Sequence, residues 1–412
     1  MKTALTTLGC KVNHGETESM AKLLAQAGAE IVPFAETADL YIVNTCTVTQ
    51  VADQKSRQLL SRAKRMNPTA KIIAVGCLAN LEGQTLLDKG LCDLCIDSSE
   101  RQNIAKLLLN VQETAGEWEL PAFEGSRTRA DLKVQDGCDR FCSYCIIPHA
   151  RGGPRSRPLP NCRAALTALA GQGFCEVTLT GIQLAAWGED LPGRPDLSDL
   201  LRVAGEVPGL RRLRLGSLEP QFITESFARA CADSPTLCPQ FHLSLQSGSD
   251  TVLARMRRRY SSAEYANVVR LLRKTLPDCA ITTDIIAGFP GETEAEHRET
   301  LAFTESMGFA RIHVFPFSAR RGTEAATLPG QLPKAEKERR ARELIALGEQ
   351  LSARYAAAQW GRRVCVLVEN QNEGYTEQYL RAKVLGEHAP GALVCGIIAK
   401  TQGATLILRP GE

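Results

Sequence analysis

The chain lacks a dominant sign of charge. Its 412 residues carry 49 Lys and Arg against 46 Asp and Glu, a net charge of +3. So small an excess excludes a protein that draws nucleic acid to its whole surface, and leaves any such contact to local patches. Long apolar runs are missing too. No stretch approaches the length of a membrane span, and the opening MKTALTTLGCKVNHGETESM has no signal-peptide core. No membrane association is expected, and a reducing, cytoplasmic setting is. The fifteen cysteines are an odd number in a long chain, which does not read as a disulfide framework. A single core is excluded by length, so two or three domains are expected.

Two sets of three cysteines stand out. The first lies in LKVQDGCDRFCSYCIIPHARGGPRSR, at Cys138, Cys142 and Cys145. Cysteine thiolate is the ligand that iron-sulfur clusters use, and three of them hold three irons of a 4Fe-4S cubane. The fourth iron is left open to a small chelating molecule. A zinc knuckle is the alternative, but it needs a fourth Cys or His, and His149 is the only nearby candidate.

The second set is spread over a repeating pattern. Residues 3–9, 40–45 and 71–76 are short apolar runs that read as buried parallel strands, and they are followed by Cys10, Cys46 and Cys77. The stretches ETESMAKLLAQAG and VADQKSRQLLSRAKRMNP between them read as helices. Such βαβ units bring the carboxyl ends of their strands to one sheet edge. Three distant cysteines are thereby delivered to one place, as candidates for a second cluster with an open iron. Taken singly, each reads equally as a small buried hydrophobe. Cys92 and Cys95, in LCDLC, read as buried thiols. Cys162, Cys175, Cys231, Cys238, Cys279, Cys365 and Cys395 read as isolated packing residues.

After a linker around 115–126, containing Gly116, Pro121 and Gly125, the alternation resumes. LKVQD, CEVTLTG, RRLRLGS, FHLSLQSG, AITTDIIAGFP and RIHVFPFS read as six parallel strands, with helices such as SSAEYANVVRLLRKTLP between them. The fold class is α/β, and this part is expected to be a partial (β/α)6 barrel whose site lies at the carboxyl ends of its strands. From about Trp360 the pattern changes to short alternating runs with Gly turns, which predicts a small OB-like β-barrel. The expected domains are 1–115, 124–355 and 356–412. Between Arg127 and Arg157 seven Lys or Arg face three acids. Arg151, Arg155 and Arg157 sit there in a Gly- and Pro-punctuated loop and are candidates for RNA phosphates, with a solvated charged loop as the alternative.

The C-x3-C-x-aromatic-C spacing resembles the radical S-adenosylmethionine (SAM) superfamily. That resemblance implies that SAM chelates the open iron and is cleaved to a 5′-deoxyadenosyl radical, with Tyr144 beside the adenine. LGCKVNHGETE, NTCTVT and VGCLAN ahead of the DGCDRFCSYC loop further resemble the methylthiotransferase family, over essentially the whole chain. The implied cofactors are two 4Fe-4S clusters and SAM, the auxiliary cluster being held by Cys10, Cys46 and Cys77. Asn13, Glu16 and Asn44 are implied to line it, although Asn13 and Glu16 read first as cap or turn residues. Thr180, Gly181, Ile182 and Gln183 correspond to the backbone segment that receives the methionine amino group. Glu219, Ser244, Gln246 and Asp284 are polar groups at mouth positions suited to ribose and carboxylate, and Arg258 is a fork donor for the carboxylate.

The C-terminal barrel, through EGYTEQYLRAKV, resembles the RNA-binding TRAM domain. The implied activity is methylthiolation at C2 of adenosine 37 in the tRNA anticodon loop, with a reducing electron donor such as flavodoxin or ferredoxin as a further partner. Three substrates are known for the family: N6-threonylcarbamoyladenosine, N6-isopentenyladenosine and a ribosomal-protein aspartate. The Cys loop, SLEP and HVFPFSARRGTEAA look most like the threonylcarbamoyladenosine branch. Gly153 departs from the family's usual Arg-Gly-Arg, which puts that loop's phosphate contact in question. A non-catalytic iron-sulfur RNA-binding regulator is the rival, but it gives no reason for a complete βα barrel.

Overall fold

The structure is a computed structural model that describes residues 1–109, 118 and 128–411. Apart from Trp118, the linker expected at 115–126 lies outside the described residues. By contacts the chain divides into two units. One gathers Met1–Glu124, Asp131–Arg157 and Ser318–Ala326, and the other Gly125–Ala130, Pro158–Phe317 and Thr327–Glu412. Among the described residues no helix is long and apolar enough to cross a membrane.

In the first unit, β1 (Lys2–Thr7), β2 (Glu30–Val32), β3 (Leu40–Thr45), β4 (Lys71–Gly76) and β5 (Leu94–Ile96) form a sheet in the order β2-β1-β3-β4-β5, all parallel. Its helices are α1 (Lys11–Gln26), α2 (Gln50–Met66), α3 (Cys77–Asp88) and α4 (Ile104–Leu109). Successive residues of a strand point to opposite faces, and β3 is buried throughout. Leu40 and Ile42 pack with Met20, Leu24 and Ile104, while Tyr41 and Val43 pack with Leu60, Ala63 and Leu78. Coverage of both faces is why these strands read as unbroken apolar runs.

The chain re-enters this unit through β6 (Arg129–Lys133), which straddles the boundary between units. The short strands β7 (Gln135–Asp136) and β8 (Arg155–Ser156) then pair antiparallel, with α5 (Ile147–Arg151) between them. This pair closes the cysteine loop at its neck. Gly137 makes the closure possible: its φ is +72°, and a Cβ there would lie 1.9 Å from the Gly153 carbonyl oxygen. A Cβ on Gly153 itself would meet nothing within 4 Å. The departure at Gly153 is therefore not forced by the neck.

In the second unit, β9 (Glu176–Thr180) pairs in parallel with β10 (Arg212–Leu215). A parallel sheet follows in the order β11 (Ser217–Leu218), β12 (Gln240–Leu243), β13 (Ala280–Ala287) and β14 (Arg311–Pro316). The expected strand RRLRLGS is thus two strands in two sheets: Gly216 N–H still bonds the Leu179 carbonyl of β9 at 2.9 Å, and the next residue, Ser217, pairs with His242 of β12. After the helix Lys334–Ala357, β15 (Arg363–Asn370), β16 (Glu373–Thr376), β17 (Arg381–Val384), β18 (Leu393–Gln402) and β19 (Thr405–Pro410) close a barrel in the order β15-β16-β17-β19-β18. Val366, Val368, Ala382, Val384, Ile398, Leu406 and Leu408 fill it.

Cys365 and Cys395 stand opposite each other in the β15–β18 ladder and are joined as a disulfide. The reading of these two as isolated is corrected: they lie thirty residues apart in sequence, and only the strand register makes them neighbours.

Buried ion pairs fix this barrel to the rest of its unit. Glu176, with a side chain 0% exposed, receives Arg214 Nε at 2.7 Å and Arg212 Nη1 at 3.4 Å. Arg214 also donates to the backbone carbonyls of Thr376 and Glu377, each at 2.7 Å. Arg129 reaches both Glu176 and, across 2.6 Å, Glu369 of the barrel.

Candidate functional site

Cys46 directly follows β3, and Cys77 opens α3 directly after β4. Cys10 is the residue before α1, two beyond Leu8, whose N–H is held by the Asn44 carbonyl at 2.9 Å. All three therefore stand at the carboxyl edge of the sheet. A Cβ on Gly9 would lie 3.0 Å from the Cys46 sulfur. Burial pushes the Cys10 and Cys46 thiols up, and charge on Cys77 adds to it in both, so the three sulfurs lie within electrostatic reach of one another. Three thiolates kept together need compensating positive charge.

Arg151 supplies part of it. Its side chain, 0% exposed, donates through Nε to the Cys77 sulfur at 3.3 Å. Nη1 bonds Glu16 at 2.9 Å and Asp136 at 2.8 Å, and Nη2 bonds the Asn13 Oδ1 and the second oxygen of Glu16. Burial works against both carboxylates being charged, but Arg151, Lys133 and Arg101 outweigh it and hold both below the ordinary carboxylate range. Asn13 donates to the carbonyls of Leu8 and Thr45, and Asn44 to that of Asn13. Asn13 and Glu16 thus shape the cysteine edge, and the cap reading is corrected because the residue at the cap of α1 is Cys10.

The loop carrying Cys138, Cys142 and Cys145 turns back on itself. Cys138 N–H bonds the Gly152 carbonyl at 3.0 Å, and Cys145 N–H bonds that of Cys142 at 2.9 Å. The Arg140 N–H points at the Cys138 sulfur at 3.5 Å, the kind of donor that stabilises sulfur charge. Phe141 takes φ +46° at the bend and is 52% exposed. Tyr144 lies in the same turn, half-buried. The returning segment Ser318–Ala326 braces both cysteine sets. Ala325 N–H bonds the Ser143 carbonyl at 2.7 Å, and Arg320 reaches Thr47 and Asp53 beside Cys46.

Each set offers three cysteine thiols, the ligand that iron-sulfur clusters use. Among the described residues no three His, Cys, Asp or Glu are grouped to hold one metal ion. A cubane instead takes each thiolate on a different iron.

The second unit places the other predicted residues at its strand ends. Thr180 ends β9 and is buried, as is Gln183, which precedes a short turn at Leu184–Ala186, with Gly181 between them. Glu219 and Arg258 form an ion pair at 2.9 Å, with Arg258 also bonded to the Tyr260 hydroxyl and stacked over its ring. Two residues predicted to meet ligand separately are therefore partners of each other. The Ser244 carbonyl accepts from Tyr260, and Gln246, at φ +68°, joins β13 through the Asp284 carbonyl. Asp284 faces His242 at 3.2 Å, and the His242 ring lies 5.9 Å from that of His313. Sequence reading missed these histidines, although FHLSLQ puts His242, Ser244 and Gln246 on one strand face by simple alternation.

The three arginines expected to meet RNA are not alike. Arg151 is a correction: it is buried among Cys77, Glu16 and Asp136, and cannot reach phosphate. Arg157 is 2% exposed, with its guanidinium over the Trp118 ring, and is corrected likewise. Arg155 alone keeps a side chain 37% exposed, 3.4 Å from Asp136.

Residues 2–97 match the model described as uncharacterized protein family UPF0004, and residues 132–304 match the radical SAM superfamily. The chain is 38% identical to the threonylcarbamoyladenosine tRNA methylthiotransferase MtaB of Bacillus subtilis, covering 93% of this chain and 90% of that protein. With its namesake in Thermotoga maritima the identity is 37%, covering 94% and 92%. The tRNA-2-methylthio-N6-dimethylallyladenosine synthase of a Parafrankia species is 35% identical, over 98% and 85%. Among solved structures, the radical SAM methyltransferase TsrM of Kitasatospora setae superposes with a TM-score of 0.60 at 16% identity, covering 79% of this chain and 75% of that one. The cobalamin-dependent enzyme OxsB reaches 0.52 at 11% identity, over 85% and 56%. These last two likenesses concern the fold alone.

Proposed function

This chain belongs to the tRNA methylthiotransferase family of radical SAM enzymes, and on that premise we propose that it methylthiolates C2 of N6-threonylcarbamoyladenosine at position 37 of tRNA. Its cofactors are SAM and two 4Fe-4S clusters, which when bound supply radical chemistry for a C2–H bond too weakly acidic to open by proton transfer. The observation that carries the reading is the pair of cysteine sets, one at the edge of an α/β sheet and one in a neck-closed loop, within a single unit.

Cys138, Cys142 and Cys145 hold the SAM-cleaving cluster, and Cys10, Cys46 and Cys77 the auxiliary one. Arg151 offsets thiolate charge at Cys77 and fixes its orientation. Tyr144 packs beside the adenine of SAM. Thr180, Gly181, Gln183, Ser244, Gln246 and Asp284 provide polar contacts to it, while Glu219 and Arg258 hold each other in place. Arg155 is the arginine of the loop that remains for RNA. The adenosine must be unstacked to present C2. Domains 1–115, 124–355 and 356–412 carry the auxiliary cluster, the SAM chemistry and RNA binding. A reducing cytoplasm and a donor such as flavodoxin or ferredoxin complete the setting.

The threonylcarbamoyl branch is favoured by the Cys-loop, SLEP and HVFPFSARRGTEAA motifs. The isopentenyl branch is the second reading, favoured by the 35% identity to a dimethylallyladenosine synthase across 98% of this chain. Reconstituted protein is incubated with SAM, reductant and tRNA bearing either modification, and the digested RNA is weighed by mass spectrometry. The methylthio form of threonylcarbamoyladenosine is expected. Its absence, with the isopentenyl product present, transfers the chain to the other branch.

A further inference from the structure

Within the first unit, beside α1, lies a pocket partly open to solvent. Glu16, Arg101, Trp118, Lys133, Asp136 and Arg155 are among the residues that line it. It is one guanidinium removed from the auxiliary cysteines, because Arg151 bonds Glu16 with one nitrogen and Cys77 with another.

Cations crowd two carboxylates here. Glu16 is met by Arg101, Lys133 and Arg151, and Asp136 by Lys133, Arg151 and Arg155. Four cations therefore contact two carboxylates. Of the other charged lining residues, Asp131 is paired with Lys11. A buried guanidinium edge with no acceptor is expensive unless an anion completes it.

Arg101 shows where the anion would sit. Its side chain is 7% exposed, and its Nη1 is ion-paired with Glu16. Nε and Nη2, whose N–H groups share the opposite edge of the guanidinium, have no hydrogen-bond partner among the described residues. That edge is a ready two-toothed fork for a carboxylate or phosphate. Lys133 adds an ammonium, 5.7 Å from the Trp118 ring centre and bonded to Glu16 and Asp136.

We propose that this cavity binds an oxyanion carried by the RNA substrate, seated on the Nε/Nη2 edge of Arg101 with Lys133 and Arg155 around it. The proposal rests on the tRNA reading above. The oxyanion is either a backbone phosphate or the carboxylate of the modified base, and the two differ in which RNAs carry them.

The test uses the cluster-loaded full chain and three anticodon stem-loops, bearing threonylcarbamoyladenosine, isopentenyladenosine or plain adenosine at position 37. Dissociation constants are read by fluorescence anisotropy at fixed salt for wild type, Arg101→Gln and Gln102→Glu. Gln102 lines the same cavity, so the second variant adds a repelling charge without removing the ion pair, and it decides the matter if Arg101→Gln does not fold. Both variants are expected to weaken binding about tenfold or more, the usual worth of a charged, forked contact. A loss confined to the threonylcarbamoyl RNA identifies the base carboxylate, and an equal loss for all three identifies a phosphate. Affinities unchanged within about twofold in both variants overturn the proposal while leaving the tRNA reading standing. A wild type that binds none of the three overturns that reading, and the cavity's proposed role goes with it.

Discussion

The Arg151 Nε donates to the Cys77 sulfur across 3.3 Å, while its two terminal nitrogens hold Glu16, Asp136 and Asn13. One buried cation thereby ties a cysteine at the sheet edge to the neck of the loop that carries the other three. Replacing it by Leu leaves two buried carboxylates with fewer cations. Loss of about 3–5 kcal/mol of stability is expected, the usual cost of breaking a buried ion network from one side. Urea unfolding of the apo-protein measures it. A loss under about 1 kcal/mol would mean that the network is not what steadies this edge.

Alanine at Cys10, Cys46 or Cys77 should remove one cubane and spare the other, lowering iron by about four atoms per chain. Such variants are expected to keep forming 5′-deoxyadenosine from SAM while making no methylthiolated RNA. Alanine at Cys138, Cys142 or Cys145 should abolish both. Iron analysis and product assays on oxygen-free protein separate the cases, and methylthio product from a Cys77→Ala enzyme would refute the assignment.

The pairs at Glu176 predict a pH dependence. Burial by itself would raise its pKa, but Arg214, Arg212 and Arg129 outweigh burial and hold the carboxyl below its ordinary value of 4.5. A depressed folded value means that the stabilisation is complete above the unfolded value and is lost as pH falls through the folded one. Wild type should therefore lose this contribution progressively below pH 4.5. Glu176→Gln should be less stable at neutral pH and show a flatter decline in acid. Equal slopes for the two proteins in thermal melts from neutral to acid pH would remove Glu176 from the account.

Gly76 sits at φ +90°, where an added Cβ would lie 2.4 Å from Asn44 Oδ1 and 2.5 Å from the Thr45 carbonyl oxygen. Gly76→Ala should cost about 1–3 kcal/mol from backbone strain, with the clash in addition. It should also displace Cys77, seen as lower iron retention during desalting. A Gly76→Ala protein that melts and holds iron like wild type would show that this turn has room to spare.

Much of this was legible beforehand because it depends on local periodicity. Buried parallel strands announce themselves as unbroken apolar runs, and cysteines just after them must share an edge. What stayed hidden depends on register and distance. Cys365 and Cys395 meet only through the β15–β18 pairing. Arg151 sits in a loop whose glycines and prolines look exposed, yet its charge is absorbed by Glu16 of α1, far back in the chain. Gly216 reads as the end of a strand, and the division of that stretch between two sheets shows only in the pairing of Ser217 with His242. Arg101 belongs to no motif, and its vacant edge becomes visible only when Glu16 is seen to occupy the other side.

The stretch Ser318–Ala326, which returns to brace Thr47, Asp53 and Ser143, sets an order of events during synthesis. A ribosome has released all six cysteines of the two sets long before Arg320 emerges. The cradle cannot take its final form on the nascent chain until most of the polypeptide exists, so iron is best loaded late. Messages cut short ahead of that stretch yield thiols without their clasp, which are exposed to air and to the wrong metals.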